Sequence, residues 1–327
     1  MSRLPLTDSP SLSLGLLAIK GAQLAPAVAH GSRLHLTGRG GDNVLDATAL
    51  SSIDLALSGG RQAAVRRLCA FARERTAPVR SVLAQAFHTA RTPYSQALNT
   101  LATDIGKAAG QEHLAYGSAG SLLTWCGPLP SVSWLTGDGR RALSEVVGRA
   151  ASAIRPGRLP GTEIEQIGLY LMGEEHATYD EIARQKWGLP IHAPYLDGPV
   201  VDACLAVPGW ERRVPGDFKP LARAAFTGTV PDYLLQRRTK TAMTGSLHLG
   251  LRANAAALRR IVRESKMAAA GLVDPHLALA ALDGAIRGER VPLGSLHQLI
   301  ATELWLSTLP NRREFWWEPV PVQEAAS

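Results

Sequence analysis

The chain has 327 residues, a net charge of +7, 46% hydrophobic residues and 19% charged residues. This length and apolar content suffice for one large domain or two small ones around a sizeable core, and they exclude a disordered chain. Three widely spaced cysteines (Cys69, Cys126, Cys204) without a CxxC pair, and nine histidines without an HExxH, exclude a disulfide framework and a zinc site of the usual kind.

Residues 11–30 are rich in Leu and Ala and read as largely helical. Lys20 and Gln23 interrupt the apolar run from Leu14 to Ala29. With no basic start and no small-residue cleavage site, the run reads as neither a signal peptide nor a membrane span. The short run from Arg33 to Thr37 predicts a strand, and Gly38 to Asn43 predicts a glycine-rich turn. Beyond it the pattern is helical. Arg61 to Arg75 carries Val65, Leu68, Cys69 and Ala72 at helical spacing. Residues 116–140, with seven Gly or Pro positions from Gly117 to Gly139, read as a long loop. Helices are expected over Arg141 to Ile154, Thr162 to Met172 and Tyr179 to Trp187, and several more between Asp217 and Leu306. The tail after Pro310 is irregular. A single strand ending in a glycine turn needs sheet neighbours for its backbone groups. The fold class is therefore mostly α with a remnant of an α/β layer. Residues 1–45 form that remnant, 46–310 the helical part and 311–327 the irregular tail.

Four units stand out for chemistry. The first is the turn Gly38-Arg39-Gly40-Gly41-Asp42, where glycines let backbone N–H groups face an anion and a neighbouring carboxylate can hold Mg²⁺; such turns also occur as plain tight loops. The second is Pro194-Tyr195-Leu196-Asp197, whose aspartate reads as a helix N-cap. The third runs from Lys219 to Arg223, through Gly228 and Pro231, to Arg237 and Lys240; a lysine there suits a phosphate or a developing oxyanion, although most surface lysines are only solvated. The fourth comprises Gly250-Leu251-Arg252, Gly271 to Pro275 and Glu303 to Leu306, which read as packing and capping features. Ser58-Gly59-Gly60 reads as a helix–helix loop.

Taken in order, these units resemble the C-terminal synthetase domain of asparagine synthetases over roughly residues 30–307. The fourth group is similar to lasso peptide macrolactam synthetases in particular. The resemblance implies a truncated synthetase domain of the adenine-nucleotide α-hydrolase-like class, and an ATP- and Mg²⁺-dependent ligase. Such an enzyme would adenylate an Asp or Glu side chain of a precursor peptide and close it onto the peptide's own N-terminus. Gly38, Arg39, Gly40, Gly41 and Asp42 would line the nucleotide side, Asp42 would hold Mg²⁺, and Lys240 would be the catalytic lysine.

Two departures qualify the resemblance. Asparagine synthetases carry a glutamate at the position of Arg39, and an arginine cannot act as a base. The family's S-G-G-x-D-S pyrophosphate loop is not found before the glycine turn; Ser58-Gly59-Gly60 lacks its Asp and Ser. Losing about three charge-assisted hydrogen bonds would weaken ATP binding by roughly 10³ to 10⁶-fold. The expectation is therefore a chain inactive alone, working with a complementary N-terminal chain that bears the loop. A leader-peptide-binding protein and a protease are further expected partners. The alternatives are an asparagine synthase fragment and a non-catalytic scaffold for a peptide or partner. No nucleic-acid role is expected from the Arg residues around Arg252, Arg259, Arg260 and Arg263, no membrane role is expected, and the expected location is cytoplasmic.

Overall fold

A computed structural model describes residues 4–107, 118–127, 130–154, 157–236 and 244–309. Ser11 opens the first helical turn: its hydroxyl accepts from the Ser13 amide and starts a 3-10 turn over Leu12–Leu16. Helix α1 (Leu17–Ala29) follows directly and contains Pro26. The stretch Leu12–Ala29 is long and apolar enough to cross a membrane by composition alone. Here it lies on the protein, with Leu24 buried against Tyr179, Ala183, Leu189 and Ile191.

Strand β1 is His35–Leu36, and the glycine turn leads from it into the one-turn helix α2 (Gly41–Val44). Three helices then build a first core: α3 (Ser51–Leu57), α4 (Arg61–Glu74) and α5 (Val79–Arg91). Ile53, Leu68, Phe71, Val82 and Leu123 meet there. Gly59 has a φ of +99° between α3 and α4, so the Ser-Gly-Gly sequence is a helix–helix loop, as its lack of Asp and Ser suggested. Helices α6 (Tyr94–Lys107) and α7 (Gly137–Ala153) pack along each other. The loop expected over 116–140 is shorter than the glycines suggest. The Thr136 hydroxyl accepts from the Gly139 amide and starts α7 four residues before the expected helix at Arg141.

Helix α8 runs without interruption from Pro160 to Trp187. The two helices expected at Thr162 to Met172 and Tyr179 to Trp187 are one. Gly173 costs about 1 kcal/mol relative to Ala, too little to break a helix whose ends are both held. Its start is capped from another element: the buried Asp54 carboxylate on α3 accepts from the Gly161 and Thr162 amides at 2.7 and 2.8 Å. Its end is closed by Gly188 in the left-handed region.

After α8 comes strand β2 (Ile191–His192), which the sequence reading missed. It pairs in parallel with β1, His35 opposite Ile191 and Leu36 opposite His192. Strand β1 thus takes its neighbour from a strand more than 150 residues downstream. Short helices follow: α9 (Gly198–Leu205), α10 (Gly209–Arg212), α11 (Pro220–Phe226) and α12 (Asp232–Leu235). A C-terminal bundle closes the chain: α13 (Thr244–Ala253), α14 (Ala255–Arg263), α15 (Lys266–Ala269), α16 (Pro275–Arg287) and α17 (Leu293–Thr308). Its core contains Val262, Val273, Leu282 and Ile300, and Trp134 enters from the loop before α7.

One buried ion pair joins the parts. Arg212 on α10 donates to Glu165 on α8 at 2.5 Å, with the two side chains 3% and 7% exposed. The same guanidinium donates to the carbonyls of Val44, Asp46 and Val207. Glu165 also accepts from the Thr48 amide. Replacing Arg212 by Ala strands a buried carboxylate and several carbonyls, so the variant should lose about 3–5 kcal/mol in urea unfolding. The double variant Arg212→Met, Glu165→Met should recover much of that loss, because it removes both charges.

Candidate active site

The site is built at the C-terminal ends of the two parallel strands, where α/β layers place ligands. The His35 amide donates to Pro190 O and the Thr37 amide to His192 O, which brings the glycine turn level with Pro194-Tyr195-Leu196-Asp197. Gly40 has a φ of +83°, and a Cβ there would lie 2.5 Å from Leu196 Cδ2. A Cβ on Gly41 would stand 3.2 Å from the Tyr195 ring. These two glycines serve the contact between the two motifs, whereas a Cβ on Gly38 would meet open space. Asp197 occupies the N-cap position of α9, but its side chain makes no capping bond; it pairs with His192 Nε2 at 3.2 Å instead.

Asp42 lies in the first turn of α2 with its side chain 64% exposed, and Lys219 Nζ is 2.6 Å from its carboxylate. Lys219 itself has φ +48° and ψ 61°, a left-handed conformation directly before Pro220. Such a backbone costs of order 1–3 kcal/mol in a residue other than glycine, and it holds the lysine at the mouth of the turn. Arg223 on α11 pairs with Asp217 beside it. Lys240 lies outside the described residues.

Arg39 turns away from Asp42 and toward α8. Its guanidinium sits 4.6 Å from the Tyr179 ring centroid, as does the Lys20 ammonium, and it lies 3.8 Å from Glu175. Glu175 also accepts from the hydroxyls of Ser11 and Ser13. Burial, and next the Arg39 charge, hold the Lys20 ammonium below its ordinary range. The same two causes lower the His176 imidazole, with Asp180 opposing them. Nothing in the local pattern of Lys20, Glu175 or Tyr179 marked them as partners of the turn. Only the register of β1 on β2 and the path of α8 bring them together.

The donor set suits the phosphate end of a nucleotide: a lysine held at the mouth, and a turn whose first glycine faces open space. It makes no metal centre by itself. Among the described residues no group of three or more His, Cys, Asp or Glu is placed to hold a metal, and Asp42 would be one protein ligand to a Mg²⁺ that arrives with phosphate.

A family model described as asparagine synthase matches residues 18–307. The chain belongs to the asparagine synthase family. Asparagine synthase domains are ATP-using ligases that form amide bonds, and this one keeps the glycine turn and the Pro-Tyr-Leu-Asp unit in contact. No curated protein and no solved structure matches the chain.

Two predictions follow from this geometry. Gly40→Ala should cost about 1–3 kcal/mol, from backbone strain and the clash with Leu196, while Gly38→Ala should change stability by less than about 0.5 kcal/mol. Paired thermal melts of the two variants test this.

The second concerns pH. His176 and His297 are both held below the histidine value of 6.5, chiefly by burial. Unfolding returns them to that value, so below it the unfolded chain binds more protons. Stability should therefore fall as pH drops from about 7.5 to about 5.5. Lys20 acts with the same sign near its own high range, whereas burial raises the carboxyls of Asp54 and Glu165 above their ordinary values, so these two act with the opposite sign. Melting temperatures across the window should decline for the native chain, with a shallower slope for His297→Gln; an unchanged slope would remove His297 from the account.

Proposed function

We propose that this chain is the synthetase part of a macrolactam-forming ligase. It would activate an Asp or Glu side chain of a precursor peptide with ATP and join it to the peptide's N-terminal amine. The observation that carries the reading is the interlocked pair of motifs at the strand ends, with Lys219 and Asp42 at their mouth. Arg39 favours this chemistry over asparagine synthesis, because its guanidinium is engaged with Tyr179 and Glu175 and cannot serve as a base. Lys219, and Lys240 further along the chain, would steady negative charge on the phosphates and on the acyl group; Asp42 would hold the Mg²⁺ that neutralises them. A complementary chain would supply the S-G-G-x-D-S loop. A leader-peptide-binding protein and a protease would prepare the peptide in the same cytoplasm.

The test is a calorimetric titration with Mg·ATP, first of the chain alone and then with a loop-bearing partner and a candidate peptide. The expected result is binding only in the mixture, with release of pyrophosphate and loss of one water from the peptide. Lys240→Ala should lower that rate by about 10² to 10³-fold. Micromolar ATP binding by the chain alone would remove the complementary chain from the proposal. Asparagine formed from aspartate and an ammonia source would replace the macrolactam reading altogether.

A further inference from the structure

A cavity of about 300 Å³ lies between α5 and α6, and none of its lining residues belongs to the nucleotide end. One stripe of α5 faces it through Gln85, His88 and Thr89, and one stripe of α6 through Thr100, Leu101 and Asp104. These positions follow the three- and four-residue spacing of one helix face. Trp125, stacked on Tyr94 at 5.1 Å, and Val132 add apolar wall.

The hydroxyl and indole donors of this wall are spent on backbone carbonyls. The Thr89 hydroxyl donates to Leu123 O, the Thr92 hydroxyl to His88 O and the Thr100 hydroxyl to Gln96 O. The Thr124 hydroxyl donates to Ser121 O, and the Trp125 indole N–H to Thr92 O. Gln85 places one amide N–H on Thr89 Oγ1 and keeps its carbonyl oxygen and a second N–H, and the His88 ring nitrogen lies 3.5 Å from Thr92 Oγ1. Burial pushes the Cys126 thiol up to about 11, so it adds no charge near neutral pH. Asp104 is the one carboxylate in the lining, with no Lys or Arg beside it there, and it makes no hydrogen bond or ion pair among the described residues. In a chain of net charge +7, an apolar cavity whose hydroxyl donors are spent and whose rim carries an unpaired carboxylate selects for a donor with positive charge.

We infer that this cavity binds a primary ammonium carried on an aromatic or branched apolar body, with the ring against Trp125 and Leu101 and the ammonium on Asp104. The inference is independent of the ligase reading, because it uses no residue of the strand ends.

Tryptamine is the probe, titrated calorimetrically into the full chain. Binding is expected, weakened about tenfold or more in Asp104→Asn, the worth of one charge-assisted hydrogen bond. N-acetyltryptamine, which keeps the ring and loses the charge, should be weakened similarly. Leu101→Trp should fill the cavity and abolish binding. Asp104 is exposed on its helix, so its amide variant should melt with the native chain and decides the question if Leu101→Trp does not fold. No heat from tryptamine at millimolar concentration overturns the inference. Equal affinity of N-acetyltryptamine, or of Asp104→Asn for tryptamine, overturns it too.

Discussion

The Arg212 guanidinium is the constraint from which the rest of the site follows. A four-residue helix such as α2 leaves its carbonyls without intrahelical partners, and buried carbonyls need donors. Arg212 supplies them to Val44 and Asp46, while Glu165 neutralises the buried charge and takes the Thr48 amide. Because Glu165 belongs to α8, the segment after the glycine turn is tied to the longest helix of the protein. Asp54 does the reciprocal service, capping the start of α8 from α3. Three buried charged side chains thus settle where the turn lies relative to the first helical core.

With the turn fixed, its glycines have a clear physical division of labour. Gly40 and Gly41 admit Leu196 and Tyr195, so the second motif sits against the first. Gly38 is left at the open side. The outer edge of β2 is closed as well, because the Ile191 amide donates to Asp180 on α8. Lys219, held in a left-handed backbone, completes the mouth from a fourth element.

Much of this was legible in the sequence, and the remainder had physical reasons to be hidden. The glycine turn, the Pro-Tyr-Leu-Asp unit and the Ser-Gly-Gly loop are punctuated by residues with unusual backbone freedom, so local pattern marks them. Strand β2 is only two residues long and has no alternation to read; the tertiary contact with β1 makes it a strand. The expected break between Met172 and Tyr179 contains Gly173, but a helix anchored by Asp54 at one end and packed through Tyr179, Ile182 and Ala183 at the other runs through it. Arg212 and Glu165 are 47 residues apart and each looks like an ordinary surface charge. Burial alone gives them their role, and burial is a property of the fold.

Helix α8 meets the segment around the glycine turn at several levels. Glu165 holds Arg212, Gly168 lies beside Asn43, and Glu175 and Tyr179 take Arg39. Between Gly161 and Tyr179 no residue of the helix is fully buried. The helix is thus half-buried along its span, with about 21 Å of axial rise from Glu165 to Tyr179. One continuous helix therefore carries the partners of both Arg39 and Arg212, so the two faces of the turn are referenced to a common axis.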